Sequence, residues 1–217
     1  MNATNDQTIN AYEHHVQEYI DNSPPEVSGA IKPWIDSGLV GLPKDAKIFE
    51  IGSGFGRDAI YIQSKGYEVE LTDATRAFVK HLLELGFKAK VFNALKDEFN
   101  GLYDLIFADA VLLRFTSDEV RGVIDKVFKA LNHDGRFLFS LKQGDGEELT
   151  TQKLGATRYF NYWQEDEISK VLHAVGFQNI AITHTDDYRK GKPSWLLISA
   201  TKGSSSADLE ADVEEKK

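Results

Sequence analysis

The sequence of 217 residues contains no cysteine at all. Disulfide-built secreted scaffolds, thiolate metal sites and cysteine nucleophiles are therefore excluded. A chain of this length can bury a substantial core in one α/β domain without such crosslinks. Hydrophobic residues make up 41% of the chain and charged residues 27%, which is typical of a globular protein rather than a disordered one. We therefore expect one folded domain.

Long apolar runs and an excess of basic residues are also missing. No run approaches the roughly 18 apolar residues of a membrane span, and residues 1–17 lack the apolar region of a signal peptide. We expect a cytoplasmic protein with no membrane partner. The 25 basic residues are outnumbered by 34 acidic ones, and the net charge of −9 disfavours a broad nucleic-acid footprint. A local basic patch remains compatible with this balance.

Short apolar runs alternate with amphipathic stretches along most of the chain. This alternation is typical of βα units on a parallel sheet. The runs that predict strands cover residues 47–51, 68–71, 88–92, 103–108, 135–141, 178–184 and 195–201. The stretches that predict helices cover residues 57–65, 75–85, 117–131 and 164–175. The polar segment 186–193 is too short for a crossover helix, so we expect the last two strands to pair antiparallel.

The two ends of the chain depart from this alternation. Residues 7–20 carry apolar side chains on one side of a predicted helix, which Pro24 and Pro25 end. Residues 203–217 are small, polar and acidic, which predicts a disordered tail, with a short helix as the alternative. The expected organisation is an N-terminal helix over residues 1–22, a domain over 23–202 and an acidic tail over 203–217.

A glycine-rich turn follows the first predicted strand and precedes a predicted helix. Its glycines, Gly52, Gly54 and Gly56, have the spacing G-x-G-x-G rather than the G-x-G-x-x-G of a dinucleotide site. Glu50 would repel a pyrophosphate, whereas it could help to hold an ammonium group. A structural loop and a nucleotide site remain alternatives for the turn alone, but a cationic ligand fits these residues better.

The pattern E-x-G-x-G-x-G resembles motif I of the class I S-adenosylmethionine-dependent methyltransferases, and the resemblance extends from about Tyr12 to Lys202. It implies that Asp73 accepts hydrogen bonds from both ribose hydroxyls and that Asn93 contacts the adenine edge. The strand ending at Asp109 is similar to motif IV, beside the methionine moiety. Tyr12 and Tyr19 look like the paired aromatics of a lid.

The cofactor-binding residues implied by this resemblance are Tyr12, Tyr19, Glu50, Gly52, Ser53, Gly54, Gly56, Arg57, Asp73, Ala74, Asn93, Ala94, Asp109 and Ala110. Three of the acidic residues also have simpler interpretations. Asp73 alternatively caps the next helix, and Glu50 and Asp109 alternatively satisfy backbone amides. The fold implied is a three-layer α/β sandwich, with seven mostly parallel strands, an antiparallel last strand and an N-terminal lid helix.

The implied reaction is methyl transfer from S-adenosylmethionine to an oxygen, nitrogen or sulfur atom of a small molecule by in-line displacement. Radical and pyrimidine C5 chemistries need cysteines that the chain lacks, and no Asn-Pro-Pro-Tyr-like run is present. A non-catalytic module that binds S-adenosylmethionine or S-adenosylhomocysteine is the alternative. An NAD-dependent oxidoreductase is disfavoured by the glycine spacing.

An acceptor pocket is predicted where loops follow the strands. Its candidates are Arg114, Lys142, Arg158, Tyr159 and Tyr162, and three cations in one cleft would favour an anionic acceptor. Alternatively, the aromatics form a satellite core and the cations face outward. Arg114 departs from the histidine that many relatives have at its position. We expect no metal, because adjacent histidines on a helix point about 100° apart, and a monomer or weak homodimer.

Overall fold

The computed structural model describes residues 3–187 and 189–203, so residues 204–217 of the predicted tail lie outside the described part. The helices are α1 (Ala3–His14), α2 (Val16–Asp21), α3 (Ile31–Leu39), α4 (Arg57–Ser64), α5 (Arg76–Glu84), α6 (Ser117–Ala130) and α7 (Glu165–Val175). The strands are β1 (Ile48–Ile51), β2 (Val69–Asp73), β3 (Ala89–Val91), β4 (Tyr103–Ala108), β5 (Leu131–Gln143), β6 (Glu147–Thr150), β7 (Arg158–Trp163), β8 (Phe177–Thr185) and β9 (Trp195–Lys202).

The central sheet has the order β3-β2-β1-β4-β5-β9-β8. Strands β1 to β5 are parallel, and β9 runs antiparallel to both of its neighbours. The predicted α/β fold and the antiparallel last strand are therefore confirmed. The carboxyl ends of β1, β2 and β4 lie at one edge of the sheet, which is where open α/β sheets bind ligands.

Both faces of the sheet are buried beneath helices. Along β4, Ile106 packs into the core on one face, whereas Leu105 and Phe107 pack into the core on the other. This arrangement explains why the strand reads as an unbroken apolar run. On the second face, Trp34 of α3 donates a hydrogen bond to the carbonyl of Ile198 in β9 (3.1 Å).

The predicted count of seven strands is wrong, because the sheet also carries the hairpin β6–β7. Strand β7 continues the sheet from the end of β5 through Lys142 and Gln143, and β6 pairs antiparallel to it. The four residues of β6 are mostly exposed and polar, so they give no alternating apolar pattern. Helix α3 was likewise not predicted from the sequence.

The single N-terminal helix predicted over residues 7–20 is in fact two helices that break at His15. Tyr12 and Tyr19 lie on either side of the break, and their ring centroids are 5.3 Å apart, edge to face. Among the described residues, none of the helices is both long enough and apolar enough to cross a bilayer.

Candidate active site

The glycine-rich turn joins β1 to α4 in a conformation that only glycine adopts readily. Gly52, Gly54 and Gly56 have φ angles of 71°, 54° and 88°. A Cβ atom on Gly52 would lie 2.5 Å from Cγ2 of Val111, so this glycine is required for packing. A Cβ atom on Gly54 would meet no protein atom within 4 Å. Gly54 therefore leaves its backbone open to close approach by a ligand.

Asp73 ends β2 directly opposite this turn. Its carboxylate accepts hydrogen bonds from the backbone amides of Gly54 (2.9 Å) and Thr75 (2.7 Å). Burial raises the pKa of this carboxyl group, while the two backbone amides oppose the shift. Asp73 thus fixes the turn against β2, and its contact with Thr75 corresponds to the alternative interpretation as a cap. The side chain of Thr75 also hydrogen-bonds this carboxylate, which with about four acceptor positions keeps room for a further donor.

The turn and the ends of β2, β3 and β4 surround a cavity, which we call the inner pocket. The predicted residues that line it are Tyr12, Tyr19, Gly52, Gly54, Asp73, Ala74, Asn93, Ala94, Asp109 and Ala110. Lining residues that sequence reasoning missed include Asn5, Thr8, Phe78 and Phe92. The structure therefore brings together most of the residues that the resemblance implied, including two from the N-terminal helices.

The remaining predicted cofactor residues lie around the inner pocket rather than on its wall. Gly56 packs against α5, since a Cβ atom there would lie 2.9 Å from Leu82. Ser53 accepts a hydrogen bond from the Thr72 amide (3.1 Å). Glu50 is buried, and its Oε2 has no hydrogen-bond partner among the described residues. Burial, together with repulsion from Asp58, raises the pKa of Glu50 to about 8.

Arg57 is held in a network of carboxylates beneath the turn. It donates to Asp109 through Nη2 (2.6 Å) and to Asp58 through Nε (2.8 Å). Burial lowers the pKa of Arg57, but the two carboxylates outweigh that effect and raise it overall. Ser140 also donates a hydrogen bond to Asp109. The charge of Arg57 is therefore balanced within the protein.

A second cavity, the outer pocket, continues from the inner one. The two share Tyr19, Gly52, Gly54, Asp109, Ala110 and Arg114. The guanidinium carbon of Arg114 lies 3.7 Å from the ring centroid of Phe160, and Nη1 donates to the carbonyl of Tyr159 (3.1 Å). Burial and the neighbouring Arg158 lower the pKa of Arg114 to about 10, so it remains charged at neutral pH.

Arg158 begins β7 and is 3% exposed. It donates from Nη1 to the hydroxyl of Tyr12 at 3.5 Å, the longest hydrogen bond of the site. The Nε atoms of Arg158 and Arg114 are both buried without a partner in the described part of the chain. Such unsatisfied donors are uncommon in native proteins, so they favour a ligand that accepts hydrogen bonds here.

Lys142, a predicted residue of the acceptor pocket, lines neither described pocket. This lysine is buried on β5, where it forms an ion pair with Asp187 and donates to the carbonyl of Pro193 (2.6 Å). Arg189 also donates to Asp187, and these donors outweigh burial and lower the pKa of that carboxyl. A buried ammonium group requires such a partner, and here the partner lies far along the chain.

Tyr159 and Tyr162, the predicted aromatic residues of the acceptor pocket, also line neither described pocket. Alternate residues of a strand face opposite sides. Arg158 and Phe160 face the outer pocket, whereas Tyr159 is buried on the other side of β7. The hydroxyl of Tyr162 donates to Glu148 of β6 (2.6 Å).

The N-terminal helices cover the inner pocket through polar contacts at three places. The carboxylate of Glu13 accepts from the amides of Arg76 (2.6 Å) and Ala77 (3.0 Å), at the start of α5. The amide of Tyr159 donates to Thr8 Oγ1 (3.0 Å). Asn93 donates to Asn5 (3.2 Å). These helices therefore connect α5 to the hairpin across the pocket.

A family model described as a methyltransferase domain matches residues 12–182. No curated protein matches the chain in sequence. The match begins at Tyr12. It covers the glycine-rich turn, the strand ends that surround the inner pocket and the hairpin β6–β7.

Several solved structures share the fold at low sequence identity. A 1,6-didemethyltoxoflavin N1-methyltransferase from Burkholderia thailandensis is 19% identical, with a TM-score of 0.68 over 92% of this chain and 87% of that chain. Phosphoethanolamine N-methyltransferase 2 from Haemonchus contortus is 13% identical, with a TM-score of 0.72 over 94% of this chain and 61% of that longer chain. A SAM-dependent methyltransferase from Methanosarcina mazei is 17% identical, with a TM-score of 0.66 over 83% and 100%.

Proposed function

This chain belongs to the methyltransferase-domain family, and from that membership we propose that it transfers a methyl group from S-adenosylmethionine to an oxygen, nitrogen or sulfur atom of a small anionic molecule. The observation that carries the proposal is the continuity of the two pockets through Gly54 and Asp109. A donor in the inner pocket and an acceptor in the outer pocket would meet there. Proximity and orientation are the main contributions that a protein makes to such a displacement.

The residues of the inner pocket fit S-adenosylmethionine, which when bound supplies an electrophilic methyl group on a sulfonium centre. Gly54 leaves space at the turn, and the carboxylate of Asp73 keeps acceptor capacity for a ribose hydroxyl. Tyr12, Phe78 and Phe92 offer aromatic surface for a base. The Oε2 of Glu50 lies unpartnered beneath the turn, and a cationic group beside it would lower the raised pKa of this carboxyl group and favour its ionised form.

The acceptor's anionic group is proposed to lie against Arg114 and Arg158. Both have a buried donor without a partner, and an arginine can grip a carboxylate or phosphate through two parallel hydrogen bonds. Stacking on Phe160 holds Arg114 in place. The Haemonchus neighbour was crystallised with phosphomonomethylethanolamine, an acceptor that carries a phosphate group, and this supports an anion in this class of cleft.

We propose that residues 1–22 act as a lid over the domain formed by 23–202. Tyr12 and Tyr19 line the inner pocket, and Tyr12 also contacts Arg158 on the acceptor side. A cover at this position excludes water from the reacting atoms. We also propose that the protein is cytoplasmic and that it is a monomer or a weak homodimer, as expected from the sequence.

A turnover assay with isotopically labelled S-adenosylmethionine tests this function. A panel of small carboxylates, phosphonates, phenols, amines and thiols is offered as acceptors, and label transfer is measured with each. We expect anionic acceptors to dominate. Preference for neutral amines or phenols would contradict the anionic acceptor alone. Tight binding of S-adenosylhomocysteine with no transfer to any class would instead favour a non-catalytic binding module.

A further inference from the structure

The cations of the outer pocket divide into two groups. Arg57 is paired with Asp58 and Asp109, and Arg189 is paired with Asp187. Arg114, Arg158 and Lys153 form no ion pair with any described carboxylate, and we call these three the cation cluster. Glu26 and Asp186 also line the pocket, but both are exposed at its rim. The cluster therefore holds up to three positive charges, and the described chain supplies no counter-charge to them.

Lys153 is the member of the cation cluster whose pKa is lowered furthest, and its contacts are with uncharged groups. It lies between β6 and β7, where its Nζ donates to the hydroxyl of Ser23 (2.7 Å) and stands 3.9 Å from the ring centroid of Tyr19. Neither partner carries a charge. Burial lowers its pKa to about 7, and repulsion from Arg158, Arg189, Arg114 and Arg57 adds to that shift. In the free protein the third charge of the cluster is therefore only partly present near neutral pH.

The charge that enters the pocket decides whether Lys153 is protonated. A carboxylate brings one negative charge, which the two arginines already neutralise. A phosphate or phosphonate brings up to two negative charges and three acceptor oxygens. The second charge would attract a proton back to Lys153 and give the ammonium a partner, because an opposite charge within a few ångströms favours the charged form.

This inference rests on the proposed function: we infer that Lys153 makes the outer pocket selective for acceptors with a dianionic group. Such a group is a phosphate or a phosphonate, and it is preferred over a single carboxylate. Arg114 and Arg158 bind the oxygens of either group. Lys153 then distinguishes a phosphate or phosphonate from a carboxylate, because only the former brings a second negative charge. It is a specificity-determining residue rather than part of the methyl-transfer chemistry itself.

Calorimetric titrations with methylphosphonate and acetate test this inference, because the two probes are similar in size and differ in charge. The full chain is used with and without S-adenosylhomocysteine, at about pH 8.5, where a phosphonate is dianionic. We expect methylphosphonate to bind the wild type at least about ten-fold tighter than acetate. Lys153→Met should reduce that preference to about three-fold or less, and Lys153→Arg should keep it.

Proton uptake provides a second readout, measured from the dependence of the binding enthalpy on the buffer. Wild-type protein should take up protons when methylphosphonate binds, and Lys153→Met should take up fewer. Lys129→Met, which removes an exposed lysine from α6, is the matched control and should behave as wild type. Equal affinity for the two probes, or a preference unchanged by Lys153→Met, would overturn the inference. Failure of S-adenosylhomocysteine to bind would instead count against the proposed function. The titrations without S-adenosylhomocysteine would still test whether Lys153 selects methylphosphonate over acetate.

Discussion

The inner and outer pockets are built from different parts of the chain. The inner pocket consists of a glycine-rich turn and the ends of neighbouring strands, and the carboxylate of Asp73 binds two backbone amides there. The outer pocket consists of side chains from helices, strands and loops that are far apart in the sequence, and its selective groups are Arg114, Arg158 and Lys153. We infer that the inner pocket binds S-adenosylmethionine, the methyl donor that the family shares, whereas the outer pocket determines which molecule is methylated.

Asp73→Ala should cause the largest loss of cofactor affinity. A hydrogen bond to a charged group is worth about 1.5–3 kcal/mol, so we expect S-adenosylhomocysteine to bind at least about 10-fold more weakly. The melting temperature should also fall, because the amides of Gly54 and Thr75 lose their acceptor. Calorimetry and thermal melting measure the two effects. Asp73→Asn keeps one carbonyl oxygen and should lose less, and unchanged affinity in Asp73→Ala would leave this residue with its structural role alone.

Gly54→Ala should weaken ligand binding by more than backbone strain alone explains. The added methyl group has space in the protein but enters the pocket wall, so we expect affinity for S-adenosylhomocysteine to fall by about ten-fold. Gly86→Ala is the matched control, because Gly86 also has a positive φ angle and no atom within 4 Å of the added Cβ. Both variants should lose similar stability in thermal melts. Equal affinities in the two variants would mean that no ligand approaches Gly54.

These two residues also illustrate how far the sequence could predict the site. The inner pocket follows from a contiguous motif and from strand ends that the alternating pattern predicts. The ion pair of Lys142 cannot be predicted from the sequence, because its partner, Asp187, lies on a loop that no local pattern connects to β5. The side of β7 on which Tyr159 lies cannot be predicted either, because the sequence does not predict β7 as a strand. Lys153 was missed because only the folded hairpin brings it to the two arginines.

Arg158→Met should affect the acceptor rather than the cofactor. Removal of a buried guanidinium that grips the anionic group should raise KM for anionic acceptors by about ten-fold. The Kd of S-adenosylhomocysteine should change little, since Arg158 does not line the inner pocket. Steady-state kinetics and calorimetry measure the two quantities. The matched control is Arg121→Met, which removes an exposed arginine from α6. Equal losses of acceptor and cofactor binding would contradict the assignment of the acceptor to the outer pocket and of the cofactor to the inner pocket.

Glu13→Ala should give a smaller effect by loosening the N-terminal helices. Its carboxylate binds the first amides of α5, and the loss of such a cap costs about 0.5–2 kcal/mol. We expect S-adenosylhomocysteine to bind about three-fold more weakly. Glu18→Ala removes a carboxylate of α2 that contacts the neighbouring His15 (3.0 Å), and it should leave affinity unchanged. If both variants bind as wild type, residues 1–22 do not act as a lid.

The most direct test of the account is a calorimetric titration of the full wild-type chain with S-adenosylhomocysteine, with NAD titrated under the same conditions. The glycine spacing, the open Gly54 backbone and the carboxylate of Asp73 favour an adenosyl ligand over a pyrophosphate. We expect saturable binding of S-adenosylhomocysteine with one site per chain, and no measurable binding of NAD. Binding of NAD in preference to S-adenosylhomocysteine would contradict the account.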